Sequence, residues 1–145
     1  MATDLTQIDT LRSKVEKHFR DNKLTYTVDT GGDYVVNNES TAVIVRPFKW
    51  NDKYSAIRII APVSFEVTRV TYELVYLIAT MNSQINFCRL YFDESEKAVY
   101  CCTELIGENL SMDHFGMSIF QVAMTANDLD EKVSHIAGGK RLVDL

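Results

Sequence analysis

Seven apolar residues near the end of the chain, Phe115, Ile119, Val122, Ala126, Leu129, Val133 and Ile136, follow one another at spacings of 4, 3, 4, 3, 4 and 3. An α-helix brings such a series onto one side, because residues three and four apart share a face. The pattern predicts a closing helix of about 25 residues, with Ser111 as its N-cap and Gly138-Gly139 as its stop. Heptad spacing also suits a coiled coil, but a 3.5-residue repeat is hard to separate from 3.6 over three heptads. The rest of the chain supplies a sheet, and packing on that sheet is the expected use of the stripe.

Ile8, Leu11, Val15 and Phe19 predict a first helix of about 16 residues, started by Asp4 or Thr6 and ending near Asp21-Asn22. β-Branched and apolar stretches at 24–28, 34–36 and 41–48 read as strands, followed by a longer one at 54–63. Pro47 suggests a strand end or edge. A second helix is expected over 66–82, then a hairpin of 85–92 and 98–106 around Asp93-Glu94-Ser95-Glu96. The element order reads α-β-β-β-α-β-β-α: an α+β fold on an antiparallel sheet of about five strands. One domain spanning residues 1–145 is expected, with 138–145 as a flexible tail.

The chain has 145 residues and a formal net charge of -5, which disfavours nucleic-acid binding through phosphate contacts. It has no apolar run of the roughly 18–20 residues that cross a bilayer, and Met1-Ala2-Thr3-Asp4-Leu5 lacks a secretory pattern. Cys88, Cys101 and Cys102 lack metal-ligand spacing and read as reduced thiols of a cytoplasmic protein. His18, His114 and His135 have no histidine or carboxylate at a tight metal-ligand spacing and no nucleophile marked beside them, and Asp128, Asp130 and Glu131 fall on the polar side of the last helix. No nucleotide, hydrolase or zinc-protease signature occurs. The expectation is a non-enzyme with no metal or cofactor.

Strand alternation sorts the remaining candidates. Ile57, Ile59, Ala61, Val63, Cys88, Leu90, Phe92, Val99, Cys101 and Leu105 form a continuous apolar face that belongs under helices. The opposite face mixes charge with aromatic area: Arg46, Phe48, Tyr54, Arg58, Phe87, Arg89, Tyr91 and Tyr100, with Glu104 as a partner for an arginine. Arginine and tyrosine are enriched in recognition patches, which makes this the candidate partner-binding face. The competing reading is a ladder of ordinary surface residues. The second helix is apolar nearly all round, so it is expected to help form a homodimer, with Val70, Leu74, Leu77 and Ile78 at the interface.

Several features carry a resemblance to a known family. They are Glu73-Leu74-Val75-Tyr76-Leu77-Ile78 followed by Asn82, the strand Phe87-Cys88-Arg89-Leu90-Tyr91-Phe92 ending in Asp93, and Ala126-Asn127-Asp128 in the closing helix. The sequence resembles the bacterial YbjN family and, more distantly, type III secretion chaperone-like proteins. That resemblance implies a small α+β domain, often dimeric, without a catalytic centre. It also implies a peptide- or protein-binding role, chaperone-like or regulatory, on an extended client segment. Alternatives are a small scaffold or assembly factor, or a single-stranded nucleic-acid binder using the aromatic sheet face.

Overall fold

The computed structural model describes residues 2–145, with side chains from Gln7 onward. Its elements are helix α1 (Ala2–Asp21), strands β1 (Thr27–Val28), β2 (Tyr34–Asn38), β3 (Thr41–Lys49) and β4 (Ser55–Ser64), helix α2 (Tyr72–Asn82), strands β5 (Arg89–Asp93) and β6 (Ala98–Ile106), and helix α3 (Met112–Ala137). The strands form one antiparallel sheet in the order β1-β2-β3-β4-β6-β5. The α+β class and antiparallel sheet agree with the sequence reading. The described residues form six strands, and the two-residue β1 is the remnant of the stretch expected at 24–28. The side chains of Asp4 and Thr6, the expected caps of α1, lie outside the described residues.

All three helices pack on one face of the sheet. Leu11, Val15 and Phe19 of α1 and Phe115, Ile119, Val122, Ala126 and Val133 of α3 meet Val43, Val45, Ile57, Ile59, Ala61, Val63, Val99 and Cys101 in one core. The seam of α3 therefore lies along its own sheet. Ser111 caps α3 by accepting the His114 N–H, and Gly138 closes it in the left-handed conformation (φ 61°). A Cβ on Gly138 would stand 2.3 Å from Thr68 Oγ1, so glycine is required by space as well as by backbone angle. Pro47 sits inside β3 opposite Ile57, but past the residues of β3 that pair with β2, so the strand is an edge there.

Three expectations change. The second helix starts six residues late, at Tyr72, because the preceding backbone is committed elsewhere. Val67 N–H donates to Lys97 O, and Thr68 and Arg69 N–H both donate to Ala137 O, satisfying the open end of α3. Thr71 then caps α2 through the Leu74 N–H. Asp130 is not on a polar side. It is buried, accepting from the Ser40 hydroxyl, while Asn127 Nδ2 donates to Asn38 Oδ1 at 2.5 Å and ties the β2–β3 turn to α3. Beyond Gly138, where a loose tail was expected, Phe65 N–H donates to Lys140 O at 2.7 Å and Leu142–Asp144 form a 3-10 turn.

Candidate partner-binding surfaces

The face of the sheet away from the helices holds a smaller buried cluster of Ile60, Ala98, Tyr100 and Cys102, and register decides what it presents around them. Arg46 lies opposite Arg58, Arg58 opposite Glu104, Arg89 opposite Cys102 and Tyr91 opposite Tyr100. Arg46, Phe48, Arg58, Arg89, Tyr91 and Tyr100 thus share this face. Tyr54 stands just before β4, its ring 6.2 Å from that of Trp50 and 5.3 Å from Lys53 Nζ.

Phe87 does not join them. Its backbone is in the left-handed region (φ 66°) and β5 begins only at Arg89, so the alternation that assigned it to the sheet face fails. It lines a cleft of ≈ 260 Å³ beside α3 with His114, Met117, Ser118, Phe120 and Gln121.

The arginines of the open face are engaged. Glu104 accepts from Arg58 Nε at 3.2 Å and from both terminal nitrogens of Arg89 at 2.7 and 2.8 Å. The Arg89 hydrogen bonds hold the Glu104 carboxyl below its usual range, against partial burial that pushes the other way. Arg46 pairs with Asp33 at 2.9 Å, and the Arg58 guanidinium lies 5.0 Å from the centre of the Phe48 ring. Three guanidiniums meet the carboxylates of Asp33 and Glu104, and Glu96 adds a third carboxylate through the Tyr100 hydroxyl, so the face carries no net positive excess. The Tyr91 and Tyr100 rings, tilted 34° to each other with centres 5.6 Å apart, pack with Ile60 and Cys102. Burial foremost, then the bond to Glu96, keeps the Tyr100 hydroxyl protonated. The face is therefore both a cross-strand ladder and an Arg/Tyr surface.

Apolar area is exposed in two further places. On α2, Leu74 and Leu77 point into the core, while Tyr72 (81% exposed), Val75 (55%) and Tyr76 (60%) point outward and Ile78 is half-buried; Val70, expected on this helix, is exposed in the segment before it. On α3, Met117 and Phe120 are exposed across from the buried seam. Phe120 also borders a smaller pocket of ≈ 90 Å³ with Leu24, Val36, Val43, Ile119 and Ala123. The spacing of Met117, Phe120 and Met124 is the signal for this second stripe, overshadowed by the longer seam.

The small pocket lies beside an unfinished edge. β1 pairs only with Val35 and Tyr34, which leaves the outer edge of β2 at residues 36–38 without a strand partner among the described residues. The thiols lie elsewhere. Cys88 is half-buried with Sγ 3.6 Å from Thr125 Oγ1, and its bonds to Cys101 and Thr125 make it the more acidic of that pair. Burial pushes Cys102 up to about 11. No group of three His, Cys, Asp or Glu is placed to hold a metal, and no helix is long and apolar enough to cross a membrane, among the described residues.

A one-sided antiparallel sheet, with a short second helix and a long closing helix on the same face, is the fold of the type III secretion chaperones. In the crystal structure of the ExsC–ExsE complex, a chain 14% identical over 88% of this one and 95% of its own superposes with a TM-score of 0.61. A chain of the HopA1–SchA chaperone–effector complex is 11% identical over 88% and 98%, with a TM-score of 0.63. One from the Yersinia pestis type III secretion chaperone SycH, in complex with a stable fragment of YscM2, is 14% identical over 86% and 99%, at 0.56. The chain belongs to the T3SS (YopN, CesT) and YbjN peptide-binding chaperone family, TY-Chap1, which it matches over residues 7–145. No curated protein matches it by sequence.

Proposed function

We propose that this chain is a cytoplasmic, non-catalytic peptide-binding chaperone that holds an extended segment of a client protein and acts as a homodimer. The observation that carries the reading is the unpaired edge of β2 at residues 36–38 beside the pocket of Leu24, Val36, Val43, Ile119 and Phe120. An added strand gains main-chain hydrogen bonds from the edge, and an apolar side chain one residue in two enters the pocket. Membership of a peptide-binding family supports this use, as do neighbours of the same fold solved with protein partners. Three free cysteines suit a reducing compartment.

The sheet face away from the helices, through Arg46, Phe48, Tyr54, Arg58, Arg89, Tyr91 and Tyr100, is a second contact surface, its arginine and tyrosine side chains offering large area with polar tips. Dimerisation uses the outer side of α2 at Tyr72, Val75 and Tyr76 together with Val70 just before it, since Leu74 and Leu77 are spent in the core. Client co-purified with the chain is expected to protect the amides of residues 36–38 from hydrogen exchange. Phe120→Asp is expected to weaken its capture about tenfold, the effect of losing roughly 1.4 kcal/mol of apolar contact. Undiminished capture by Phe120→Asp, with no new protection at residues 36–38, overturns the reading.

A further inference from the structure

The two ends of the sheet are finished differently. In an antiparallel ladder, successive residues turn their backbone groups alternately toward the partner strand and away from it. Leu90 on β5 turns its groups outward, away from β6, and both are taken. Its N–H donates to Asn82 Oδ1 at 2.7 Å, and its carbonyl accepts from Asn82 Nδ2 at 3.0 Å. A primary amide offers one donor edge and one acceptor to the same residue, the pair that an incoming strand presents. Asn82 is the last residue of α2, and that helix is anchored over β5 by burial of Leu74 and Leu77. Exposed strand edges are a hazard that folds blunt by covering or occupying them.

We propose that Asn82 is a specificity-determining residue: by occupying the outward groups of Leu90 it blocks the middle of the five-residue β5 edge, where only Phe92 still turns its groups outward, and so disfavours strand addition there, leaving the β2 edge as the place where an extended peptide adds. The second half of this inference rests on the proposed function; the closure of β5 does not. Asn82 acts as a stand-in for one residue of a seventh strand. Without it, Leu90 presents a bare donor and acceptor, and the partner most available to a purified chain is β5 of a second copy.

Hydrogen exchange and sedimentation on the full chain without client test this. In dilute Asn82→Ala, the Leu90 amide is expected to exchange about tenfold faster than in the parent, the loss of one hydrogen bond. The amides of Arg89 and Tyr91, which face β6, keep their protection and report that the hairpin is intact. On concentration, Asn82→Ala is expected to self-associate beyond the parent and recover protection at Leu90. Asn82→Asp, which keeps an acceptor for the Leu90 N–H, is expected to hold that amide slow and gain no association. Parent-like exchange at Leu90 in Asn82→Ala overturns the proposal, as does an exposed Leu90 that never associates. Because no client is present, such a failure leaves the peptide-binding reading standing, whereas failure of the Phe120→Asp test removes that reading and not the closed edge.

Discussion

The two faces of the sheet are built from the same strands, yet they are held by different physics. The covered face is apolar from Val43 to Leu90, and its side chains are removed from water by three helices. The open face carries arginines opposite an arginine and a glutamate, with aromatic rings lying against them. Burial on the first face contributes about 1.5–3 kcal/mol per large side chain. Partly exposed ion pairs on the second contribute about 0–1 kcal/mol each. The covered face supplies most of the burial that holds the protein together, and the opposite face adds a smaller cluster around Ile60 and Cys102.

Substitutions that cross this divide should differ most. Leu74→Asp places an unpaired charge in the covered layer, and loss of the cooperative unfolding transition is expected in circular dichroism. Phe115→Ala removes a fully buried ring that packs edge-on against Phe19 at 5.0 Å, and a loss of about 3–5 kcal/mol is expected in urea unfolding. On the open face, Glu104→Gln should cost only about 1 kcal/mol, because its partners Arg58 and Arg89 remain hydrated.

The same glutamate sets a pH dependence. Its folded pKa is depressed, so the stability it contributes is present above the unfolded value of about 4.3 and is lost as pH falls through the folded value. The acid limb of a stability–pH curve should therefore be shallower in Glu104→Gln than in the parent, and identical limbs would show that the pairing adds nothing. The smallest effect on folding is expected from Tyr72→Ser with Tyr76→Ser on the outer side of α2, about 0.5 kcal/mol or less. That pair is instead expected to weaken self-association in sedimentation, and an unchanged monomer–dimer balance would place the interface elsewhere.

The covered face was readable residue by residue, since Ile57, Ile59, Ala61 and Val63 alternate without interruption and the seam of α3 repeats through three heptads. Arg46, Arg58, Arg89, Tyr91 and Tyr100 were placed correctly by the same alternation. Phe87 was not, because one left-handed backbone angle ends the period that the assignment relied on. The start of α2 was misplaced because residues 66–71 have helix-compatible apolar spacing while their N–H groups serve Lys97 and Ala137. Asp130 read as surface because its burial depends on Ser40, 90 residues away.

Sequence by itself determined what is local: helix and strand periods, the Ser111 and Gly138 caps, and which strand face is apolar, since these follow from the geometry of neighbouring residues. Only the tertiary structure decided which sheet edge lacks a partner strand at residues 36–38, which has Asn82 bonded to Leu90, and which side of α2 is exposed. Those outcomes depend on backbone donors and acceptors from distant segments finding one another, and a hydrogen bond between remote residues leaves no period in the chain.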